Sequence, residues 1–374
     1  MKIVADDKIP FLKGVLEPFA EMIYLPGHRI DNRALKDADA LLVRTRTRCD
    51  AALLKNTGIK FIATATIGYD HIDTDFCNSN GIAWTNAPGC NSSSVQQYIA
   101  AALLNISGQF KYRLKNKTLG IVGVGNVGSK VSNLARILEM NVLLNDPPRA
   151  RKEGEDGFAG IEQVLMESDI VTAHVPLNPS GEDCTLNLFS EDSFSMMRRG
   201  SWFINTSRGE VTDTKALKNV LDSGKLMGTV LDVWEKEPDI DTELMERAFI
   251  STPHIAGYSS DGKAKGTSVI VNALCKFFGF PLRDWYPDNI SDPAAPVILL
   301  NCRGKSDEDV MREAVLHSYN IEDDSLRLKH APSEFEEQRG DYPLRREFPA
   351  YTIIVKGGTR NTRIMLRDLG FRVA

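Results

Sequence analysis

The chain has 374 residues, of which 42% are apolar and 25% are charged, and its formal net charge is −5 at pH 7. This length exceeds a single typical hydrophobic core, so we expect two or three domains. The proportion of apolar to charged residues is that of a globular protein and argues against a disordered chain and a membrane protein. The mild negative net charge argues against a surface that coats nucleic acid.

The six cysteines form neither a CxxC pair nor a regular series, which predicts reduced thiols rather than a zinc knuckle or a disulfide framework. No apolar run approaches the length of a signal core or a membrane span. We therefore expect a cytoplasmic protein without a nucleic-acid or membrane partner. The cysteines occupy positions 49, 77, 90, 184, 275 and 302.

Five short apolar runs, each followed by a polar loop, fill the first 90 residues. This alternation predicts a parallel sheet whose working edge lies at the carboxyl ends of the strands. The loops at that edge carry Arg44, Thr45 and Thr66. The predicted strands span residues 2–5, 22–25, 40–43, 61–65 and 82–84.

A glycine-rich loop interrupts the next apolar run, which follows a helix predicted at 95–106. It reads Gly123-Val-Gly125-Asn-Val-Gly128 and continues as a helical pattern. Gly123 permits a tight turn, Gly125 lets the backbone approach a pyrophosphate, and Gly128 lets the helix pack on the strand. The helix N-terminus offers N–H groups to negative charge. This order predicts a dinucleotide site rather than a glycine turn that serves packing alone.

Asp146 ends the following strand, predicted at 142–144, and lies eighteen residues after Gly128. A carboxylate there can accept hydrogen bonds from both hydroxyls of an adenosine ribose and would repel a 2′-phosphate. The sequence therefore predicts NAD as the cofactor. Arg149 and Arg151 nearby leave NADP as the alternative.

Three further loops follow predicted strands, and each exposes one ionisable residue, namely Arg208, Glu237 and His254. Loops at the carboxyl ends of a doubly wound sheet converge on one crevice, so these residues can meet beside a nicotinamide. An imidazole can remove a hydroxyl proton as hydride leaves the same carbon. A carboxylate fixes the tautomer of that ring, and a guanidinium holds a substrate carboxylate in a forked grip.

Considered singly, each of these three residues also has a non-catalytic interpretation. Arg208 can be an interior arginine paired with Glu210 or Asp213, Glu237 a solvated acid, and His254 a capped loop residue. Together they favour oxidation of an alcohol next to a carboxylate. No histidines or acids have metal-ligand spacing, so no metal is predicted.

The chain beyond about residue 280 has a different character. A helix predicted over 259–278 gives way to a proline-interrupted stretch, and the remainder lacks a glycine-rich phosphate loop. We expect a small α+β part that serves subunit contacts, although Arg345 and Arg346 could reach an anion. Its predicted strands are 296–300 and 351–355, and its predicted helices are 307–319 and 360–369.

Five motifs in series resemble the D-isomer-specific 2-hydroxyacid dehydrogenases. They are the glycine loop at 123–128 and the segments 168–177, 205–211, 231–238 and 252–257, and the resemblance covers residues 1 to about 280. It implies that Arg208 binds the substrate carboxylate, that Glu237 orients the base and that His254 is the acid/base. It also implies a cofactor site formed by Gly123, Gly125, Asn126, Val127, Gly128, Asp146, Val175, Thr206, Ser207, Arg208, Asp232 and Gly257.

The same resemblance implies a fold class and a domain division. The fold is α/β, with two doubly wound parallel-sheet (Rossmann-like) domains and a small C-terminal α+β dimerisation domain. The substrate-binding domain is 1–92 with 257–285, the NAD-binding domain is 93–256, and the dimerisation domain of the homodimer is 286–374. Val175 stands where a threonine is frequent, which removes one hydrogen bond to the cofactor.

Within the family, the segments 25–29, 65–71 and 146–149 are most similar to members with a phosphorylated substrate. That likeness implies substrate contacts from Thr45, Thr66 and Tyr258. Arg44 and Arg46 alternate along an expected extended strand, so one of them can enter the cleft, and we favour Arg44 for the phosphate. The alternative for both arginines is that they are solvated surface residues. The alternatives for the function are another substrate within the family, or an NAD-sensing interaction protein without catalysis.

Overall fold

The computed structural model describes residues 1–374, which divide into two compact units. The first unit contains Met1–Asn91 and Ser259–Ser291, and the second contains Ser92–Tyr258 and Asp292–Ala374. The C-terminal residues thus belong to the same compact unit as the glycine loop. The division into three domains by role stays a proposal.

Fourteen strands and fourteen α-helices make up the chain. The strands are β1 (Lys2–Asp6), β2 (Glu21–Leu25), β3 (Ala40–Val43), β4 (Phe61–Thr64), β5 (Ala83–Thr85), β6 (Thr118–Val122), β7 (Asn141–Asn145), β8 (Ile170–Ala173), β9 (Ser201–Asn205), β10 (Leu226–Leu231), β11 (Ile250–Ser251), β12 (Val297–Asn301), β13 (Thr352–Lys356) and β14 (Arg372–Val373). The helices are α1 (Ala51–Leu54), α2 (Thr74–Ser79), α3 (Ser92–Phe110), α4 (Asn126–Ile137), α5 (Pro147–Glu153), α6 (Ile161–Glu167), α7 (Glu191–Met196), α8 (Thr214–Asp222), α9 (Thr242–Arg247), α10 (Ser260–Phe278), α11 (Asp307–Ser318), α12 (Ile321–His330), α13 (Phe335–Gly340) and α14 (Arg360–Leu369). No helix combines the length and apolar character needed to cross a membrane.

The first unit is built on a five-stranded parallel sheet with the order β2-β1-β3-β4-β5. Its central strands are buried on both faces because apolar side chains cover each side. One of these faces packs against α10 through Ile270 and Leu274. The polar loops therefore leave the sheet at its carboxyl ends, as the sequence predicts.

The second unit contains a six-stranded parallel sheet with the order β11-β10-β9-β8-β6-β7. The order in which the chain adds strands to the sheet reverses at β6. Strand β7 pairs with one side of β6, and β8 pairs with the other side. In open α/β sheets, ligands bind beside the carboxyl ends of the strands at such a reversal. The glycine loop follows β6 at this point, and His174 and Val175 follow β8.

The C-terminal part of the second unit has a three-stranded sheet with the order β12-β13-β14. All three strands are parallel. The sequence does not predict β14, since it has only two residues, nor α12. Along β12 and β13, buried and exposed side chains alternate. This pattern leaves one face of the sheet open.

Two local expectations differ from the structure. Arg44 and Arg46 do not lie on an extended strand, because β3 ends at Val43 and residues 45 and 46 form a turn. The buried hydroxyl of Thr47 donates to the carbonyl of Gly27 at 2.9 Å and bends the chain back there. The argument from alternating faces therefore does not apply. Helix α3 begins at Ser92, three residues before the predicted start at residue 95.

Candidate active site

The glycine loop has the shape of a phosphate cradle. Gly123 has a φ of +89°, and a Cβ there would meet the carbonyl of His174 at 2.6 Å. A Cβ on Gly128 would lie 2.0 Å from the carbonyl oxygen of Gly123, so only glycine lets α4 pack this close to β6. A Cβ on Gly125 would meet nothing within 4 Å. Open space in front of the N-terminus of a twelve-residue helix fits the pyrophosphate of a dinucleotide.

The predicted cofactor contacts Asn126 and Val127 form the first turn of α4, where Asn126 is exposed. Asp146 lies across the glycine loop. Its carboxylate accepts the N–H of Val124 at 2.8 Å and caps α5 by accepting the N–H of Arg149 at 3.1 Å. The acid is therefore fixed at the end of β7, where a ribose would lie beside the cradle.

Arg149 also binds this region, since its Nη1 donates to the carbonyl of Val124 at 2.6 Å. Its other guanidinium nitrogens pair with Glu153, with Nη2 at 2.7 Å from Oε2. Both ends of the guanidinium are thus engaged within the chain. This arrangement favours Asp146 over Arg149 as the group that a ribose would meet.

The arginine loop (residues 205–209) follows β9 and is folded by the buried amide of Asn205. Its Oδ1 accepts the N–H of Ser207 at 2.9 Å, and its Nδ2 donates to the carbonyl of Arg208 at 2.9 Å. Nη1 of Arg208 donates to the carbonyl of Ser207 at 2.8 Å. The chain thus turns sharply at the carboxyl edge of the sheet, and the half-buried guanidinium stands there.

His174 supports the same edge from β8. Its Nε2 lies 3.0 Å from the hydroxyl of Thr172, and its Nδ1 lies 3.3 Å from that of Thr206. Burial lowers the pKa of His174 to about 3, so the ring is neutral and serves as a bridge between the two hydroxyls. Val175 follows it and packs beside Gly123.

Gly209 holds the arginine loop against the acid loop (residues 232–238), which follows β10. A Cβ at Gly209 would lie 1.9 Å from the carbonyl carbon of Trp234. Backbone touches backbone here, so no side chain of any size fits. The close approach brings the segments that carry Arg208 and Glu237 together.

His254 and Glu237 form a hydrogen-bonded pair. Nδ1 of His254 lies 2.8 Å from Oε2 of Glu237, while Oε1 accepts the N–H of Trp234 at 3.0 Å. The His254 side chain is 30% exposed and that of Glu237 is 18% exposed. The ring therefore presents Nε2, its other nitrogen, to an incoming molecule.

The pKa of Glu237 is held below its ordinary value. Burial alone would raise this pKa, but the hydrogen bond and charge of His254 and the N–H of Trp234 outweigh the effect of burial, with a contribution from Arg339. The carboxylate is thus ionised across the neutral range. It acts as a pure hydrogen-bond acceptor toward Nδ1, which must carry the proton.

The histidine loop (residues 252–258) is fixed by the buried carboxylate of Asp232. Oδ1 accepts the N–H of Ile255 at 2.7 Å and the hydroxyl of Thr252 at 2.6 Å, and Oδ2 accepts the N–H of Ala256 at 2.9 Å. Burial raises the pKa of Asp232 despite these bonds. The structure thus places this predicted cofactor contact beneath the loop, with both oxygens bound to it.

His254 has a φ of +56°, in the left-handed region that costs a non-glycine residue about 1 kcal/mol. Its N–H donates to the carbonyl of Asp232 at 2.7 Å, and the indole N–H of Trp234 donates to the carbonyl of Thr252 at 2.9 Å. These bonds hold the strained residue in place. They tie the acid loop and the histidine loop into one body.

Tyr258 closes the histidine loop, since its N–H donates to the carbonyl of Ile255 at 2.9 Å. Gly257, a predicted cofactor contact, precedes it in the same turn. In the second unit the structure therefore assembles Arg208, Glu237, His254 and Tyr258 on connected loops. No group of three or more histidine, cysteine or acidic side chains is placed to hold a metal ion.

The remaining predicted substrate contacts lie in the first unit, at the carboxyl ends of β3 and β4. Arg44 is half-buried, and its Nη1 donates to the carbonyl of Lys8 at 3.2 Å, while Thr45 is exposed. The hydroxyl of Thr66 donates to the carbonyl of Gly68 at 2.8 Å and lies 2.7 Å from that of Thr64.

His71 supports this group, since its Nε2 lies 3.0 Å from the hydroxyl of Thr64. Burial lowers the pKa of His71 to about 4. A neutral ring thus stands at the base of a short chain of hydroxyls that ends at Thr66.

Sequence patterns do not predict Asn205 or Trp234 as supports of the site. Both lie in the motif segments, but the sequence does not show which backbone groups their side chains bind. A tryptophan in a loop otherwise rich in acids is the one local signal, because a buried indole N–H needs an acceptor.

The chain is similar to several known proteins in sequence and in fold. Residues 95–256 match the family described as D-isomer specific 2-hydroxyacid dehydrogenase, NAD binding domain, and residues 293–370 match a domain of unknown function, DUF3410. The erythronate-4-phosphate dehydrogenase of Bacteroides fragilis is 48% identical over 95% of this chain and 99% of its own. That of Proteus mirabilis is 37% identical over 99% of each chain. D-lactate dehydrogenase from Aquifex aeolicus, solved with NAD and lactic acid, aligns with a TM-score of 0.62 at 26% identity over 75% of this chain and 96% of its own.

Proposed function

The chain belongs to the D-isomer-specific 2-hydroxyacid dehydrogenase family, and from that premise we propose that it oxidises 4-phospho-D-erythronate with NAD. The product is (R)-3-hydroxy-2-oxo-4-phosphooxybutanoate, an intermediate of pyridoxine 5′-phosphate biosynthesis. The relatives named for this substrate align over nearly the whole chain. The observation that carries the chemistry is the pair of His254 and Glu237, which leaves Nε2 of the ring as a base.

His254 accepts the proton of the substrate's 2-hydroxyl group at Nε2. Glu237 holds Nδ1–H at 2.8 Å, which fixes this tautomer and stabilises the imidazolium that forms. NAD, when bound, supplies the acceptor for the hydride that leaves the same carbon. The half-buried position of both side chains limits competition from water for the proton.

Arg208 binds the substrate carboxylate. A guanidinium matches a carboxylate with two parallel N–H donors, and it stays charged at any working pH. Because Asn205 and Gly209 fold the arginine loop tightly, the guanidinium keeps its position relative to the acid loop. The same fork stabilises charge on the oxygen that becomes the ketone.

For the cofactor contacts we propose the residues predicted from the sequence. The cradle at Gly125 fits the pyrophosphate, and Asp146 would accept hydrogen bonds from the ribose hydroxyls. NAD rather than NADP fits this site, since a 2′-phosphate would meet the charge of Asp146 while Arg149 is engaged by Glu153. The side chain of Val175 offers apolar contact only.

For the rest of the substrate we propose Thr45, Thr66 and Tyr258 as polar contacts and Arg44 as the partner of the phosphate. Their support is the position of the first three at loop ends and the cationic charge of Arg44 near the carboxyl end of β3. A dianionic phosphate gains most from a guanidinium, which can bind two of its oxygens at once.

His254→Ala tests the proposed base. We expect turnover of 4-phospho-D-erythronate to fall by about 10⁴-fold or more while NAD still binds, because the cradle is untouched. The exposed His330 supplies the matched control, His330→Ala, which should keep the wild-type rate. Near-normal activity in His254→Ala would remove this residue from the mechanism.

A substrate screen separates the proposal from the alternatives within the family. Wild-type enzyme should prefer 4-phospho-D-erythronate over D-erythronate, 3-phosphoglycerate and hydroxypyruvate in kcat/KM. Preference for an unphosphorylated acid would overturn the substrate assignment but leave the reaction class intact. Absence of turnover with every 2-hydroxy acid would instead favour an NAD-sensing protein.

We also propose a homodimer formed through the C-terminal sheet. A parallel sheet is normally covered on both faces, yet Leu299 and Ile354 are neighbours in register on the open face and are 75% and 45% exposed. Val297 on the same face is 50% exposed. A second copy of this face would cover all three, since identical patches pair about a twofold axis.

Light scattering after size exclusion tests the dimer. The wild type should elute as a dimer and Leu299→Asp as a monomer, while Met227→Asp, at an exposed apolar residue of β10, should remain dimeric. A dimeric Leu299→Asp variant would exclude this face. A cytoplasmic location is part of the same proposal, supported by six cysteines that are all thiols, five of them buried.

A further inference from the structure

The C-terminal brace (residues 339–345) lies against the histidine loop. It belongs to the part of the chain that matches a domain of unknown function. Three of its side chains, three positions apart, contact the loop or the ring of Tyr258. They are Arg339, Tyr342 and Arg345.

Arg345 is 4% exposed and binds the histidine loop directly. Its Nη2 donates to the carbonyl of Ala256 at 2.5 Å, and its Nη1 donates to the carbonyl of Ile255 at 3.3 Å. The N–H groups of the same two residues donate to the carboxylate of Asp232. The dipeptide after His254 is therefore held through its N–H groups by an acid and through its carbonyls by an arginine.

The guanidinium of Arg345 is itself held by two tyrosines. Its carbon lies 4.4 Å from the ring centre of Tyr319 and 5.9 Å from that of Tyr342. Both hydroxyls donate to Oδ2 of the buried Asp324, at 2.9 and 2.6 Å. A planar cation in contact with two aromatic rings whose hydroxyls are hydrogen-bonded has little freedom to move.

The brace also contacts the end of the histidine loop. The ring of Tyr342 meets that of Tyr258 edge to face at 5.9 Å, and the guanidinium of Arg339 lies 5.8 Å from the centre of the Tyr258 ring. The carbonyl of Ile255, which Arg345 binds, also accepts the N–H of Tyr258. Contacts from the brace thus extend along the loop from Ile255, the residue after His254, to Tyr258.

We propose that Arg345 is a positioning residue for the reaction, through which the C-terminal part of the chain holds His254 in its reactive orientation. The inference rests on the role of His254 proposed above. Arg345 acts on the backbone that carries the base and not on the substrate. This proposal gives a positioning role to residues 293–370, the segment that matches a domain of unknown function.

Arg345→Lys is the decisive variant. Lysine keeps the buried charge beside Asp324 but carries its donors on one nitrogen at the end of a flexible chain, so it does not reproduce the two bonds that Nη1 and Nη2 make to the carbonyls. We expect kcat/KM to fall about 10- to 100-fold, mainly through kcat, because small displacements of a catalytic group have effects of that size. NAD affinity should stay near the wild-type value, because the glycine loop is unchanged.

Amide hydrogen exchange measured on the apoenzyme supplies a readout that does not depend on substrate. Peptides that cover residues 252–258 should exchange faster in Arg345→Lys than in wild type, because the N–H groups of Ile255 and Ala256 lose the opposing anchor. If the wild type does not oxidise 4-phospho-D-erythronate, the proposed function fails, while the exchange result still decides whether Arg345 holds the loop.

Arg327→Lys is the matched control. Arg327 is 41% exposed and binds the other oxygen of Asp324, at 3.1 Å, rather than the histidine loop. This variant should keep wild-type kcat and wild-type exchange at residues 252–258. Equal losses in both variants would show general loosening of the C-terminal part and would overturn the proposal.

Two further variants keep the test decisive. In Arg345→Ala, added guanidinium ion should restore part of kcat by filling the vacated position, and lack of rescue in a folded variant would count against a positioning role. If neither substitution of Arg345 folds, Tyr342→Phe keeps the ring and removes the hydroxyl that donates to Asp324. It should lower kcat several-fold and speed exchange at 252–258, and wild-type values in both would refute the proposal.

Discussion

Replacing Glu237 with glutamine keeps the shape of the side chain and removes its charge. In the wild type, Oε1 accepts the N–H of Trp234 at 3.0 Å, and Oε2 accepts Nδ1–H of His254 at 2.8 Å. A carboxylate satisfies both donors because each of its oxygens is an acceptor. Nε2 is left without a proton and can act as the base.

The amide of glutamine cannot satisfy both donors. If its oxygen keeps the N–H of Trp234, its NH₂ group faces Nδ1, and the ring proton must move to Nε2, where the base is needed. If the amide turns round, its NH₂ group faces the N–H of Trp234, and a buried donor without an acceptor costs about 1–3 kcal/mol. Loss of the charge that stabilises the imidazolium adds about 1.4–4 kcal/mol.

We therefore expect kcat/KM of Glu237→Gln to fall by about 10² to 10⁴-fold. NADH absorbance reports the initial rate, and NAD affinity measured by fluorescence should be unchanged. Glu237→Asp, which keeps the charge, should lose less. A rate for Glu237→Gln within about threefold of wild type would refute the tautomer argument.

Three further predictions concern other parts of the second unit. Gly209→Ala should lower kcat/KM at least about 100-fold, because a Cβ would lie 1.9 Å from backbone and drive two loops apart, whereas Gly160→Ala, whose Cβ would meet only a side-chain oxygen at 3.5 Å, should match wild type in the same rate assay. The pKa of His174 is lowered by burial to about 3, so the unfolded chain binds the extra proton as pH falls below 6.5, and this group alone should cost about 2 kcal/mol of stability at pH 5 relative to pH 8. Between pH 8 and pH 5, urea unfolding should show a loss of stability that is about 2 kcal/mol smaller in His174→Gln than in wild type and in the exposed control His330→Gln, because His71, whose pKa burial also lowers, contributes equally to all three. An equal loss in all three would exclude a contribution from His174. Asp146→Ser should improve NADPH binding relative to NADH at least about tenfold in a fluorescence titration, since the repelling charge is gone, and unchanged preference would shift the assignment to other residues.

Apolar runs and punctuating residues predict most of the fold. Strands β3 and β4, the glycine loop and helix α10 follow from local patterns, because burial on both faces of a parallel sheet selects continuous apolar runs. The turn after β3 does not follow from such a pattern. It depends on a hydrogen bond from Thr47 to Gly27, twenty residues earlier.

The candidate site divides in the same way. Glycines, one acid, one arginine and one histidine in motif order predict which residues meet. What holds them is invisible in the sequence, because the partners are distant along the chain. Gly209 packs on Trp234, and Arg345 binds carbonyls about ninety positions earlier. Only the folded chain shows that Arg345 lies behind His254 rather than against an anion.

The histidine loop shows why so many supports converge on one residue. A left-handed φ at His254 would relax if the loop were held at one end alone, because each hydrogen bond contributes only about 1 kcal/mol. Asp232 holds the N–H groups, Trp234 holds the carbonyl of Thr252, and Arg345 holds the carbonyls beyond. Strain persists where surrounding bonds over-determine the backbone. The ring is thus aimed before substrate arrives, so little reorganisation accompanies proton transfer.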